Sequence, residues 1–153
     1  MNNSIAVIMS LYKNDRLNFV KLAVESILHQ TYSNFDFYIQ YDGVICEEVD
    51  AFLSNISDER VKIYRRSENK GLAHSLNDLL QIVMPKGYEF IARMDADDIS
   101  EPNRFERQLY YFESHPEVEC LGTWAVEIMS DGSEYYRKQM PVTHEECRKL
   151  FRK

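Results

Sequence analysis

Short apolar segments alternate with longer amphipathic segments along most of the chain. The apolar segments are typical of buried strands and predict four of them, over residues 5–9, 37–41, 61–63 and 90–94. The amphipathic segments predict helices over residues 17–28, 49–56, 72–83 and from Pro102 onward. Asn14 or Asp15 is expected to cap the first helix. This alternation predicts an α/β fold with a mainly parallel central sheet, right-handed crossovers and helices on both faces.

The last part of the chain predicts a hairpin and a short helix. Two further strands are expected over residues 118–121 and 124–128, with Asp131-Gly132 as a hairpin-type turn. Thr143 and Glu146 have the spacing of a capping box, and the apolar side of the helix that follows would carry Cys147, Leu150 and Phe151. With 153 residues, the chain is expected to form a single domain, 1–153.

The charge balance limits the classes of partner. The 18 Lys and Arg residues against 25 Asp and Glu residues give a formal net charge of −7. A surface with this balance repels a polyphosphate backbone, so nucleic acid is not an expected partner. A phosphorylated small molecule would need a cation between its phosphates and the protein carboxylates.

The cysteines and the apolar runs indicate the compartment. Cys46, Cys120 and Cys147 are an odd number without C-x-x-C spacing, which favours a reducing environment over a disulfide framework. The run Ile5–Met9 is too short to span a bilayer or to act as a secretion signal. These features predict a cytoplasmic protein, while contact with the inner face of the cell membrane stays open.

Three acidic residues, Asp95, Asp97 and Asp98, directly follow the fourth predicted strand, at the sheet edge where ligands of such folds bind. Carboxylates this close repel one another unless they are protonated, solvated or neutralised by a cation. Mg²⁺ or Mn²⁺, held by one or two carboxylates and a substrate diphosphate, is the natural partner. The alternative is that Asp97, Asp98 and Ser100 are solvated loop and capping residues ahead of the Pro102 helix.

Other ligand motifs fit the sequence less well. Neither G-x-G-x-x-G nor G-x-x-x-x-G-K-[ST] occurs, so a glycine loop is not expected to cradle phosphates and a metal bridge is favoured. An EF-hand loop beginning at Asp95 would place Ile99 at a ligand position and Ser100 where glycine is required. The four histidines have no zinc-ligand spacing with the cysteines.

Four motifs stand in order at the predicted strand ends: residues 5–12, 41–43, 69–72 and 92–98. Together with the continuation over residues 102–108, they resemble the family 2 glycosyltransferases, and the similarity covers approximately residues 4 to 125. The resemblance implies the GT-A fold and an inverting enzyme that uses a nucleotide-diphosphate sugar.

The resemblance also implies a nucleoside site. Asp42 would accept a hydrogen bond from the N3–H of uracil or thymine, where the alternative is a plain Asp-Gly turn. Ser10, Leu11 and Tyr12 would line the base and ribose pocket, although ordinary core packing is an alternative for Tyr12. The residues expected to close over the nucleoside, unless they simply form a helix entry, are Asn69, Gly71 and Leu72.

Roles for the acidic segment follow from the same resemblance. Asp95 would contact the ribose or a metal-bound water, Asp97 would ligate the metal, and Asp98 is a candidate for the outer shell. Asp95 and Asp97 are thus the residues expected at the metal. Ala96 lies between them within the implied nucleotide-binding segment. Arg93 would either face the nucleotide or pair with an acidic neighbour.

Inverting transfer is a single displacement that needs a carboxylate base for the acceptor proton and a cation for the departing diphosphate. The resemblance implies a base well downstream of the D-x-D segment. Glu145 and Glu146 are the nearest acidic residues, but the capping box accounts for them. The base is therefore expected beyond Lys153. We expect the chain to be the donor-binding part of a longer transferase, with little or no sugar transfer by itself.

The predicted function is that of a hexosyltransferase-like domain, with a UDP-sugar favoured over a dTDP- or GDP-sugar. The expected acceptor is a glycan or a lipid-linked glycan, by analogy with relatives that build bacterial surface polysaccharides. Two alternatives stay open: a nucleotide-sugar-binding module without catalysis, and a doubly wound interaction domain without enzymatic function.

Overall fold

The computed structural model describes residues 4–129 and 131–150, with the side chain of Leu150 left aside. These residues form two compact units, Met1–Tyr111 and Phe112–Lys153. The expectation of a single donor-binding domain stays a prediction. Among the described helices, none is long and apolar enough to cross a membrane.

The larger unit confirms the predicted alternation of strand and helix. Its elements are β1 Ile5–Leu11, α1 Leu17–Leu28, β2 Phe35–Tyr41, α2 Glu47–Ser54, β3 Val61–Arg65, α3 Leu72–Val83, a 3₁₀ turn Met84–Lys86, β4 Phe90–Arg93 and the part up to Tyr111 of α4 Arg104–Ser114. The four strands pair in parallel in the order β3-β2-β1-β4. The order reverses at β1, because β2 and β3 lie on one side of it and β4 lies on the other.

Side chains of β1 alternate between the two faces of the sheet, and both faces are covered. Ile5, Val7 and Met9 pack in one cluster with buried residues of α1, α2 and α4. Ala6 and Ile8 pack in a second cluster with buried residues of α3. A strand buried on both faces has no polar side, which explains the uninterrupted apolar run at the start of the chain.

Several boundaries differ from the predicted ones, and three of the differences concern β1, α1 and α4. β1 runs two residues past Met9, to Leu11, because it pairs with β2 along its whole length. Neither Asn14 nor Asp15 caps α1, and its N-cap residue, Arg16, makes no side-chain capping bond. Pro102 lies in the turn before α4 rather than in its first helical turn, and its carbonyl accepts a hydrogen bond from the Thr31 N–H at 2.9 Å.

The smaller unit contains an antiparallel hairpin, β5 Ala125–Ile128 and β6 Glu134–Lys138, followed by α5 His144–Leu150. The strand predicted over residues 118–121 was wrong: a turn follows α4 there, closed by a bond from Val118 N–H to the His115 carbonyl at 3.0 Å. The capping box is confirmed, since Thr143 and Glu146 each donate a backbone N–H to the other's side chain at 3.3 Å. Phe151 lies outside the described residues.

Candidate functional site

The carboxyl ends of the four parallel strands meet at one edge of the sheet, which we call the carboxyl edge. Residues 10–12 end β1, residues 42–43 follow β2, residues 66–71 follow β3, and residues 94–98 follow β4. The strand order reverses between β1 and β4, and open α/β sheets bind ligands in the crevice at such a reversal. Topology thus places the four sequence motifs at one edge of the sheet.

Asp42 is a buried polar residue of this edge with several hydrogen-bond partners. Its side chain is only 3% exposed, and its backbone N–H donates to the carbonyl of Leu11 at 2.7 Å. One carboxylate oxygen accepts the N–H of Lys70 at 2.7 Å, and the other accepts the N–H of Gly71 at 2.8 Å. The side-chain amide of Asn69 donates to the Asp42 carbonyl at 3.1 Å. Asp42, Asn69 and Gly71 therefore lie together, as the sequence implied.

Arg66 completes this network, and the sequence analysis missed it. Its guanidinium donates to the Asp42 carboxylate, to the Ser75 hydroxyl at 2.7 Å and to the Asp78 carboxylate at 2.6 Å. Its Nε also donates to the Glu68 carbonyl at 3.0 Å, and the side chain is only 12% exposed. No local pattern distinguishes Arg66 from the preceding arginine, because its partners come from β2 and α3.

The surroundings of Asp42 favour the ionised form. Burial alone would raise the pKa of Asp42, but hydrogen bonds from the Lys70 N–H, the Arg66 guanidinium and the Gly71 N–H outweigh it and lower the pKa below its usual value. The carboxylate is therefore a charged acceptor at neutral pH. Among the bonds of the described residues, Oδ2 accepts only the one from Gly71, which leaves it a lone pair.

Gly43 allows the loop over residues 68–71 to approach the end of β2. Its φ is +85°, a conformation that L side chains rarely adopt. A Cβ placed on Gly43 would lie 2.8 Å from the backbone nitrogen of Asn69. The Asp-Gly pair is therefore more than a plain turn, since glycine is needed for the close approach and aspartate for the bonds that hold it.

The residues expected to line the nucleoside pocket differ in accessibility. Leu11 is fully buried in the core, so its side chain is not available to a ligand. Ser10 is half-buried, whereas Tyr12 is 44% exposed, and the alternative of core packing for Tyr12 is therefore wrong. Leu72, the first residue of α3, is 49% exposed.

Arg93 and Asp95 form a two-pronged ion pair at the end of β4. The Arg93 Nε and Nη2 donate to the two carboxylate oxygens of Asp95 at 2.9 and 2.8 Å. Both side chains are well exposed, at 54% and 38%, so the pair contributes little to stability. Of the two interpretations of Arg93, the structure shows pairing with an acidic neighbour, and its contact with a nucleotide stays a prediction.

Negative charge accumulates around the acidic segment. Burial raises the pKa of Asp98, and the charges of Asp95 and Asp97 raise it further against the opposing effect of Arg93 and Arg104. Burial also raises the pKa of Asp15, and the charge of Asp97 adds to that effect although a hydrogen bond from Tyr12 N–H lowers it. Asp15, expected only as a helix cap, thus belongs electrostatically to the acidic segment.

Gln30, which the sequence analysis also missed, anchors the loop that follows the acidic segment. Its buried side-chain amide donates to the Ser100 hydroxyl at 3.2 Å and to the Glu101 carbonyl at 2.7 Å. Its Oε1 accepts the Phe105 N–H at 3.2 Å, and the neighbouring Ser26 hydroxyl accepts the Ser100 N–H at 3.0 Å. Ser100 is only 6% exposed, so its interpretation as a solvated loop residue is wrong.

The acidic segment has the donor chemistry of a Mg²⁺ or Mn²⁺ site. No group of three or more His, Cys, Asp or Glu side chains within the described residues is placed to hold a metal ion. Mg²⁺ commonly takes only one or two protein carboxylates, and substrate phosphates complete its shell. The crowding that raises the pKa of Asp98 is what a divalent cation would relieve. Asp95 and Asp97 would hold the cation. Asp95 would then either share its carboxylate oxygens between the cation and Arg93 or release Arg93.

The fold is that of the GT-A glycosyltransferases. The chain is similar to the crystal structure of S. aureus TarS 1–349 in complex with UDP, with a TM-score of 0.62 and 16% identity over 74% of this chain and 33% of that one. The match to Glycosyl transferase family 2 extends over residues 6–153, and the chain belongs to this family.

Two curated relatives show how much of such a protein the chain represents. It is 33% identical to the O-antigen biosynthesis glycosyltransferase WbnJ of Escherichia coli, over 96% of this chain and 56% of the relative. It is 31% identical to the amylovoran biosynthesis glycosyltransferase AmsE of Erwinia amylovora, over 96% of this chain and 54% of the relative. The chain therefore spans about half the length of these relatives.

Proposed function

We propose that the chain binds a nucleotide-diphosphate sugar at the carboxyl edge, with a UDP-sugar favoured, as the donor-binding part of an inverting glycosyltransferase. The observation that carries the proposal is the ionised, almost fully buried carboxylate of Asp42, whose Oδ2 retains a lone pair. Such an oxygen accepts the N3–H of uracil. S. aureus TarS, which has the same fold, has been crystallised with UDP, and this supports the choice of base.

The other strand ends would contact the rest of the nucleoside. Tyr12 presents an exposed ring, and Leu72 presents an exposed aliphatic side chain, both at the carboxyl edge. Asn69 and Gly71 are held against Asp42 and would cover the base from the β3 side. Ser10 and Leu11 would contribute backbone groups, and Ala96, which is mostly buried, would do the same beside Asp95.

The acidic segment would bind the diphosphate through a divalent cation held by Asp95 and Asp97. When bound there, Mg²⁺ or Mn²⁺ would neutralise charge on the departing diphosphate. Gln30 holds the following loop at Ser100 and Glu101, so the segment is anchored on both sides, by β4 and by this loop. Arg93 pairs with both oxygens of Asp95 and would compete with the cation for them.

Transfer itself would require groups outside the described residues. Glu146 accepts a backbone hydrogen bond in its capping box, which lowers its pKa through the Thr143 bonds and makes it a structural residue rather than a base. We assign the base to the parent protein beyond Lys153. The names of WbnJ and AmsE support a role in O-antigen or polysaccharide biosynthesis. The acceptor that we propose is a glycan or a lipid-linked glycan, and the group that we propose is transferred is a hexosyl group.

A binding titration tests the proposal. The melting temperature of the chain should rise with UDP and Mn²⁺ together, and much less with UDP and a chelator. Asp97→Asn should remove the metal-dependent part of the rise and leave the unliganded melting temperature within about 2 °C, since the residue is exposed. Glu117→Gln, an exposed acid in the turn after α4, is the matched charge control and should behave as the wild type.

Each other outcome has a defined meaning. No shift with UDP in either condition would contradict nucleotide binding and would favour an interaction domain. A metal-independent UDP shift that Asp97→Asn leaves unchanged would remove Asp97 from the site. Rapid sugar transfer by this chain alone would contradict the assignment of the base to the parent protein.

A further inference from the structure

Arg66 stands out among the cations of the carboxyl edge because it is nearly buried and bonded on every side. Its side chain is 12% exposed, against 53% for the neighbouring Arg65 and 54% for Arg93. A buried guanidinium with several acceptors is held in one orientation, whereas exposed Arg side chains retain most of their freedom. Arg66 is therefore placed to act on its neighbours rather than on solvent.

The partners of Arg66 come from three separate segments. Asp42 follows β2, Ser75 and Asp78 lie on α3, and the Glu68 carbonyl belongs to the loop between β3 and α3. The guanidinium thus ties the end of β2 to the loop whose Lys70 and Gly71 N–H groups bind the same Asp42 carboxylate.

Building on the proposed function, we propose that Arg66 is a positioning residue that keeps Asp42 a charged acceptor. The site would thereby select uracil or thymine, which present an N–H donor, over cytosine. Uracil presents an N3–H donor, whereas N3 of cytosine is an acceptor and would need a protonated carboxyl group opposite it. Selectivity between these bases is therefore a direct reading of the charge on Asp42. Arg66 itself does not need to touch the nucleotide.

The charged groups around the Asp42 carboxylate support this role. The only cationic side chain bonded to it in the described structure is Arg66, because Lys70 and Gly71 contribute backbone N–H groups. The β1 side contributes a Leu11 carbonyl, which accepts from the Asp42 backbone and carries no charge. α3 contributes Asp78, whose carboxylate also binds Arg66 and would repel Asp42 if the guanidinium were absent. Removal of Arg66 therefore leaves burial and a like charge, which raise the pKa of Asp42, opposed by the N–H bonds of Lys70 and Gly71 alone among the bonds of the described residues.

The experiment measures the ratio of the UDP to the CDP dissociation constants by calorimetry between pH 5 and pH 8, with Mn²⁺ present. The ratio is used because both nucleotides carry the same diphosphate, so its titration cancels. The wild type should favour UDP at every pH in this range. Its own ratio is the baseline at each pH, because cytosine N3 begins to take up a proton towards pH 5. Relative to that baseline, Arg66→Gln should lose preference progressively as the pH falls from 7 to 5, by up to about tenfold for each pH unit below the pKa of its Asp42.

Three further variants separate a positioning role from a general loss of structure. Arg66→Lys keeps the charge without the planar fork, and should retain more of the preference at pH 5 than Arg66→Gln. Asp78→Asn removes a competitor for the guanidinium and should leave the preference at least as large as in the wild type. Arg65→Gln breaks an exposed pair with Asp50 one residue away and should change the ratio by less than about twofold.

The outcomes distinguish the inference from the proposed function on which it rests. A wild type that binds neither nucleotide would contradict the proposed function. If the wild type prefers UDP, and Arg66→Gln and Arg66→Lys show the wild-type ratio at every pH, the inference is overturned while the proposed function stands. If Arg66→Gln does not fold, Asp78→Asn decides, because a loss of preference in that variant would overturn the inference.

Discussion

The side-chain amide of Gln30 donates a hydrogen bond to the hydroxyl of Ser100, 70 positions further along the chain. The same amide group binds the Glu101 carbonyl and the Phe105 N–H, so the C-terminal end of α1 is joined to the loop before α4. All of these groups are buried or partly buried, and a buried polar group without a partner is costly. Gln30 therefore fixes the loop that carries the chain away from the acidic segment.

Replacement of Gln30 by leucine should destabilise the protein and weaken metal-dependent binding. Leucine has a similar volume but offers no hydrogen bond, so Ser100, Glu101 and Phe105 lose their partner. We expect the free energy of unfolding to fall by about 2 kcal/mol in urea titrations, and the affinity for UDP with Mn²⁺ to fall more than that for UDP with chelator. The control is His29→Ala at the exposed neighbouring position. If it lowers the free energy of unfolding by more than about 1 kcal/mol, the destabilisation comes from the end of α1 in general and not from the bonds of Gln30.

Replacement of Gly43 by alanine should be more damaging than the same change at Gly87. Both glycines have positive φ, +85° and +78°, so both substitutions introduce backbone strain of about 1–2 kcal/mol. Only at Gly43 would the new Cβ also lie 2.8 Å from a backbone atom, the Asn69 nitrogen, while nothing lies within 4 Å at Gly87. Chemical denaturation should show a larger loss for Gly43→Ala. Equal losses would show that the loop can move away from β2 without cost.

The pH dependence of stability should carry the signature of Asp42. Its pKa is lowered in the folded protein, so its contribution is complete above the unfolded value of about 4 and is lost as the pH falls through the lower, folded value. Asp42→Asn leaves Arg66 nearly buried with one fewer charge partner, and should lower the free energy of unfolding by about 3 kcal/mol at pH 7. The difference from the wild type should shrink below about pH 4.

The matched control is Asp50→Asn. Asp50 also has a lowered pKa, caused first by the Arg65 hydrogen bond, but both partners are about half exposed. Asp50→Asn should lower the free energy of unfolding at pH 7 by about 1 kcal/mol or less, because solvent screens an exposed pair. A loss at Asp50 equal to that at Asp42 would contradict the argument from burial.

Arg93→Gln should reveal whether Arg93 serves Asp95 or the nucleotide. Both oxygens of Asp95 are bonded to Arg93, so the arginine competes with any cation at that carboxylate. If pairing is its whole role, Mn²⁺ affinity in the presence of UDP should rise by about twofold to fivefold, consistent with an exposed pair of less than about 1 kcal/mol. A fall in UDP affinity measured with chelator would instead assign Arg93 to the nucleotide.

The secondary structure could be predicted from the sequence because it depends on local spacing. Ile5–Met9 is apolar throughout because β1 is covered by α1 on one face and by α3 on the other. The strand expected over residues 118–121 failed for the complementary reason, since a strand needs a hydrogen-bonding partner that a short apolar run does not specify.

The site residues also fall into those that the sequence predicts and those that only the structure shows. Asp42, Asn69, Gly71 and the acidic residues 95–98 could be named in advance, because a parallel sheet brings the residues that follow its strands to one edge. Arg66, Gln30 and Asp15 could not be named, because each acts through groups that are distant in the chain or through a shared electrostatic environment.

By itself, the sequence determined the strand–helix order, the edge at which polar residues collect and the excess of negative charge there. Only the tertiary structure decided which side chains are held and which are exposed: Leu11 lies in the core, Tyr12 faces solvent, and Asp42 is charged although it is buried. The physical reason is that periodicity depends on neighbours along the chain. Burial and ionisation depend on every group that packing brings within a few ångströms, whatever its distance in sequence.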